Sequence, residues 1–152
     1  MLVTELIGFY GPFILFGISV YYLVPYKQHM FYYIIFFFVN GIVNVVLKNI
    51  IRDPRPDGFN KRHSYDMIEY KGIEYYGMPS GHSQSVFYSI SYTWFVAQNV
   101  YLLLAGLFIG LITLNQRFAT KKHTAEQLAV GAFVGTVFGY MSWYVSKKIM
   151  QG

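Results

Sequence analysis

The sequence predicts an all-α membrane protein: a polytopic bundle of about five transmembrane helices, folded as one domain over the whole chain. Three observations carry this. Hydrophobic residues make up 55% of the 152 residues and charged residues only 12%, against about 25% charged in ordinary soluble domains. That is too little polar surface to cover a water-exposed globule. Aromatic residues reach 20%, with 15 Tyr and 14 Phe, which suits a chain crossing two membrane interfaces. Finally, stretches of spanning character recur along the chain, separated by short polar connections.

The first stretch runs over residues 6–24 without a charge. It has neither a basic leader nor a small-residue cleavage site, so it reads as a retained helix rather than a signal peptide. Pro12 is expected to bend it, as membrane helices tolerate. The second covers residues 30–47. The third, residues 80–97, is rich in Ser and Tyr and should face other protein more than lipid. The fourth, residues 100–114, is short of the roughly 20 residues a span needs unless its ends extend. The fifth runs from Leu128 to Ser146, with Gly131, Gly135 and Gly139 at a spacing that lets another helix approach closely. Residues 57–78 are polar and read as a loop over one mouth of the bundle. Neither a repeat nor an interdomain linker is visible. With no cysteine in the sequence, disulfides and thiolate zinc sites are excluded.

Tracing the spans brings three polar clusters to one membrane face. They are Lys48 to Pro56, Tyr76 to Gln84, and Arg117 to Gln127. Five crossings put the N-terminus on that face and the C-terminus opposite. The formal charge is +5. In a soluble protein this would suggest nucleic acid. Here the basic residues sit in a few short loops, which favours anionic lipid or phosphate and no nucleic acid.

Lys48, Arg55 and Arg117 bring three cations to that mouth. Charges near lipid are costly and usually functional, and guanidinium forks suit phosphate oxygens. Taken singly, each could also be an interfacial side chain snorkelling to water, which is how Lys27, Lys147 and Lys148 read at the other face. Pro79-Ser80-Gly81-His82 opens a helix, with Ser80 as N-cap. Gly81 leaves room for an anion at its backbone N–H. His123, at the start of the fifth helix, should rest neutral and nucleophilic. Glu126 or Gln127, three and four residues on, could accept its imidazole N–H and fix the tautomer. His29 and His63 read as hydrogen-bonded interfacial histidines; His82 and His123 lie beside phosphate-binding chemistry.

In this order the clusters resemble the type-2 phosphatidic acid phosphatase superfamily, whose pattern is Lys-x6-Arg-Pro, Pro-Ser-x-His, then Ser-Arg-x5-His-x3-Asp. Lys48, Arg55 and Pro56 match the first motif. Pro79, Ser80, Gly81 and His82 match the second, and Arg117 and His123 the third. There are three departures. Gln116 stands for the family Ser, Gln127 stands for the family Asp that orients the nucleophile, and many members have six spans. The runs Gly77 to Gln84 and His123 to Gln127 resemble the dolichyl-diphosphatase branch, which carries Gln at this position.

The resemblance implies a membrane lipid phosphatase. His123 would be the nucleophile, giving a phosphohistidine, and His82 the acid and then the base. Gln127 would complete the catalytic set. Lys48, Arg55, Ser80, Gly81 and Arg117 would hold the phosphate, and the cations would do the work without a metal or cofactor. The branch implies a polyprenyl or dolichyl diphosphate as substrate; phosphatidic acid is the next choice. It also implies a site on the lumenal or external face, although the basic residues on the site side would favour the cytoplasm. Self-association to complete the bundle is a further expectation. The rivals are a catalytically inactive scaffold keeping the fold and, behind it, a small transporter or channel.

Overall fold

The structure is a computed structural model that describes residues 2–56 and 75–151. Five helices make it up: α1 (Leu2–Leu23), α2 (Lys27–Ile51), α3 (Gly81–Ala97), α4 (Val100–Ala119) and α5 (Ala125–Gln151). Among the described residues the extended backbone amounts to one antiparallel bridge, Pro54 opposite Tyr76. The expected loop over residues 57–78 is described only from residue 75 onward. His63 lies outside the described residues.

Local chemistry sets the boundaries. Pro25 follows α1 and disfavours helix in the residue before it; Pro12 sits within α1 without ending it. α2 stops at Arg52, whose left-handed φ of 54° turns the chain while its N–H bonds the Lys48 carbonyl. Pro54 then supplies no donor to continue. Ser80 caps α3, its hydroxyl accepting from the Ser83 N–H. Asn99 caps α4, accepting from the N–H groups of Tyr101 and Leu102 at 3.0 and 3.1 Å. α4 runs to Ala119, so the fourth segment does extend to spanning length.

Four helices, α1, α2, α4 and α5, are long and apolar enough to cross a membrane. Their outward faces carry Phe13, Phe38, Phe108 and Phe133, each more than 60% exposed, as lipid-facing residues should be. The protein is thus an integral membrane bundle. α3 faces protein, as its Ser and Tyr content led one to expect. It is shorter, 17 residues, and polar, because it packs against all four other helices. A helix sheathed by protein has no need of a lipid-compatible surface.

The α3–α5 seam is the most extensive contact in the bundle. Small residues make it possible: a Cβ at Gly131 would fall 2.6 Å from the Ser80 carbonyl oxygen, and one at Gly139 2.8 Å from that of Tyr88. At Gly135 a Cβ would overlap the Gln84 backbone. Hydrogen bonds then cross the seam, Ser83 Oγ to the Leu128 carbonyl (2.7 Å) and Ser91 Oγ to that of Thr136 (2.9 Å). On its other side α3 inserts Tyr88 and Tyr92 beside Tyr33 and Leu23 in the buried core. Each hydroxyl is satisfied: Tyr33 with Ser89, Tyr88 with the Tyr33 carbonyl, and Tyr92 with the His29 carbonyl.

Candidate active site

The site lies at the end of the bundle where α2 and α4 finish and α3 and α5 begin. Lys48 occupies the last turn of α2 and is buried, as is Arg117 near the end of α4. Beyond α2 the chain runs extended, and residues 53–55 pair with 75–77. The Arg55 N–H donates to the Tyr75 carbonyl (3.2 Å) and the Gly77 N–H to the Asp53 carbonyl (2.7 Å). This clasp carries Arg55 into the site, where Nη1 donates to the Lys122 carbonyl (2.8 Å) and approaches His123 Nε2 at 3.2 Å.

α5 opens with a reciprocal cap. The Gln127 N–H donates to Thr124 Oγ1 (3.3 Å), and the Thr124 N–H donates to Gln127 Oε1 (3.2 Å), the capping-box arrangement. The same Oε1 faces His123 Nδ1 at 3.3 Å. Gln127 Nε2 donates to Asp53 Oδ2 (2.5 Å) and to the Pro54 carbonyl (2.8 Å). These neighbours fix the carboxamide. Turned over, its NH2 would meet the Thr124 N–H and its oxygen would meet two acceptors. Oε1 therefore accepts, Nδ1 of His123 carries the proton, and Nε2 keeps its lone pair, facing the Arg55 donor. Of the two candidates for this role, Gln127 holds it; Glu126 points to the exterior.

His123 is 4% exposed. Burial, and then the positive fields of Arg55, Lys48 and Arg117, with a smaller contribution from His82, hold it well below the ordinary imidazole value of 6.5. The sequence-predicted cations and both histidines thus share one electrostatic neighbourhood. His82, in the first turn of α3, sets Nε2 against the Phe9 carbonyl (3.1 Å) and the Arg117 guanidinium. Arg117 also lies over the Phe9 ring, 5.1 Å from its centroid. Among the described residues no group of three or more His, Cys, Asp or Glu is arranged to hold a metal ion.

Ser80 is fully buried and serves as the expected cap. Gly81 packs against α2: a Cβ there would lie 3.2 Å from Asn44 Oδ1. Asn44 Nδ2 donates to the Pro79 carbonyl (3.1 Å) and to Gln84 Oε1 (2.8 Å), and Gln84 Nε2 donates to Asn40 Oδ1 (2.8 Å). These amides tie the start of α3 to α2. Sequence reasoning missed them, although Asn40, Asn44 and Lys48 form a four-residue-spaced polar stripe on an otherwise apolar helix. It also missed Asp53 and Gly77. The four-residue step from His123 and the Thr124-x-x-Gln127 box are the local signals for the placement of Gln127. His29 is remote, its Nδ1 3.4 Å from Ser146 Oγ at the opposite end. A cleft of about 720 Å³ there, lined by Pro25, Phe95, Trp143 and Lys147 among others, has no part in the site.

The sequence pattern of the PAP2 superfamily matches residues 29–151. The chain belongs to the PAP2 superfamily. That match covers α3 to α5, all of α2 but its first two residues, and every residue of the three clusters; α1 lies before it, yet supplies the Phe9 carbonyl to His82. Among curated PAP2 relatives, the chain is 31% identical over 120 residues to a dolichyldiphosphatase of Saccharomyces cerevisiae, covering 70% of this chain and 47% of that protein. It is 31% identical over 113 residues to lipid phosphate phosphatase epsilon 1, chloroplastic, of Arabidopsis thaliana, covering 69% and 36%. The chain thus spans half or less of the length of the curated relatives it matches. No solved structure matches it.

Proposed function

We propose that this PAP2 protein is a membrane lipid phosphatase that removes the terminal phosphate of a lipid phosphate or diphosphate through a phosphohistidine, without a metal. The observation that carries the reading is the state of His123: neutral, with Nδ1–H held by Gln127 and the Nε2 lone pair directed toward Arg55. A phosphoryl group takes its place among Lys48, Arg55 and Arg117, with Ser80 and the Gly81 amide at the helix N-terminus beside it. Its oxygens draw the Arg117 and Arg55 donors away from the two imidazoles.

The Nε2 lone pair bonds to phosphorus as the bond to the lipid-side oxygen breaks. That oxygen takes the proton of His82. Water then attacks phosphorus and gives its proton to His82, the phosphorus–Nε2 bond breaks, and inorganic phosphate leaves. The cations neutralise the charge that builds on the phosphoryl oxygens, a role metal ions fill in other phosphoryl transfers. A largely apolar cleft of about 490 Å³ opens between α1 and α4, lined by Thr4, Phe108, Leu111 and Gln116 among others. It suits the hydrocarbon of an amphiphile. The dolichyldiphosphatase relative favours a polyprenyl diphosphate, and the site belongs on the lumenal or external face.

The test is phosphate release from a polyprenyl diphosphate in detergent micelles with EDTA present. Wild type should release phosphate, and His123→Ala should lose at least about 10³-fold in rate, as removal of a covalent nucleophile does. No release by folded wild type, on this lipid or on phosphatidic acid, would turn the reading to an inactive scaffold.

A further inference from the structure

We propose that Asp53 is a positioning residue for the nucleophile, supplying through the Gln127 carboxamide the negative charge that His123 lacks from a direct carboxylate partner. This rests on the phosphatase reading above.

The chain of contacts is continuous. His123 Nδ1 faces Gln127 Oε1 at 3.3 Å, and Gln127 Nε2 donates to Asp53 Oδ2 at 2.5 Å. An amide whose N–H is bound by a carboxylate carries more negative charge on its oxygen, because hydrogen bonds in series polarise one another. When Nε2 bonds to phosphorus the ring becomes an imidazolium. The polarised Oε1 then stabilises Nδ1–H more than an isolated amide would. No proton crosses the relay: Nδ1 keeps its hydrogen, and Asp53 acts through the charge it places behind the amide.

Two features indicate that the arrangement is built. Asp53 is held by the clasp, its own carbonyl accepting from the Gly77 N–H at 2.7 Å and its neighbour Pro54 bridged to Tyr76. Gly77 lies so close to Gln127 that a Cβ there would overlap the carboxamide. The absence of a side chain at residue 77 is what lets the amide stand between His123 and Asp53. All four hydrogen-bonding positions of that amide are filled, so it has one orientation and one set of partners.

The experiment measures kcat and KM for a polyprenyl diphosphate in wild type, Asp53→Asn and the double variant Asp53→Asn/Gln127→Glu, with thermal midpoints in the same detergent. Asp53→Asn should lower kcat by about 10- to 100-fold, the range seen when the residue behind a metal-ligating histidine is removed, with KM within about twofold. The double variant sets the carboxylate directly on Nδ1 with an amide behind it, and should regain most of the lost kcat. A merely structural Asp53 would lower the midpoint and show no such regain. Wild-type kcat in Asp53→Asn overturns the relay and leaves the phosphatase standing; no turnover by wild type overturns both. Should Asp53→Asn fail to fold, Gly77→Ala displaces the carboxamide while leaving Asp53 in place. It should show the same loss of kcat, and wild-type kcat there overturns the relay.

Discussion

At the scale of single residues, the surroundings of His123 oppose its protonation, and burial contributes most to this, ahead of Arg55, Lys48 and Arg117. Two consequences follow for its acid limb. On the proposed phosphatase reading, the pH profile of kcat/KM should fall off on the acid side below 6.5, because His123, the proposed nucleophile, stays neutral to lower pH than an ordinary histidine does; a limb at or above 6.5 would contradict that reading. Stability has the same sign. As pH falls through 6.5 the unfolded chain takes up the proton before the folded one, so stability present above 6.5 is lost below it. His123→Gln should flatten that part of a plot of unfolding midpoint against pH. Much of this residue-level chemistry was legible. A four-residue helical step from His123 reaches Gln127, so the pairing could be read from spacing. Asp53 could not, because its contact with Gln127 joins segments distant in sequence and depends on a clasp that no local periodicity announces.

Among the helices, the α3–α5 seam tests how closely the two backbones meet. Gly135→Ala drives a Cβ into the backbone of Gln84, where no flexible side chain can yield. Overpacking of this kind costs about 1–3 kcal/mol, and the thermal midpoint in detergent should drop accordingly. Gly41→Ala is the control: nothing lies within 4 Å of its Cβ, and a helical alanine gains up to about 1 kcal/mol over glycine. Equal midpoints for the two variants would mean that the seam is looser than the structure has it. The glycine spacing announced this seam, and the Ser and Tyr content of α3 announced a helix facing protein. The extent of α3 was legible too, residues 80–97 expected against Gly81–Ala97 behind its Ser80 cap; a motif loop and a capping serine set where it begins.

For the molecule as a whole, the arrangement separates two ends. Arg117, His82 and His123 gather at one; Gln98, Trp143 and Lys147 lie at the other. Because the sequence has no cysteine, single-cysteine variants report cleanly. Glu126→Cys, exposed beside the site, and Gln98→Cys, exposed at the far end, should react with a membrane-impermeant maleimide from opposite sides of sealed vesicles. With the site on the lumenal or external face, Glu126→Cys is the one labelled from that side. Labelling of both from one side would dismantle the traverse of α3. The convergence of the clusters was legible from counting crossings alone, since none separates the first cluster from the second and two, α3 and α4, separate the second from the third.

The clasp between residues 53–55 and 75–77 has an evolutionary meaning. It joins residues 53–55 to residues 75–77, and both the support of His123 and Arg55 hang from that closure. The placement of Gln127 beside His123 and of Arg55 thus rests on residues 53–55 and 75–77 themselves. If the chain is the lipid phosphatase proposed, descendants built this way could lengthen, shorten or replace the residues between the two halves of the clasp, and so change which lipids they meet, without redesigning the chemistry beneath.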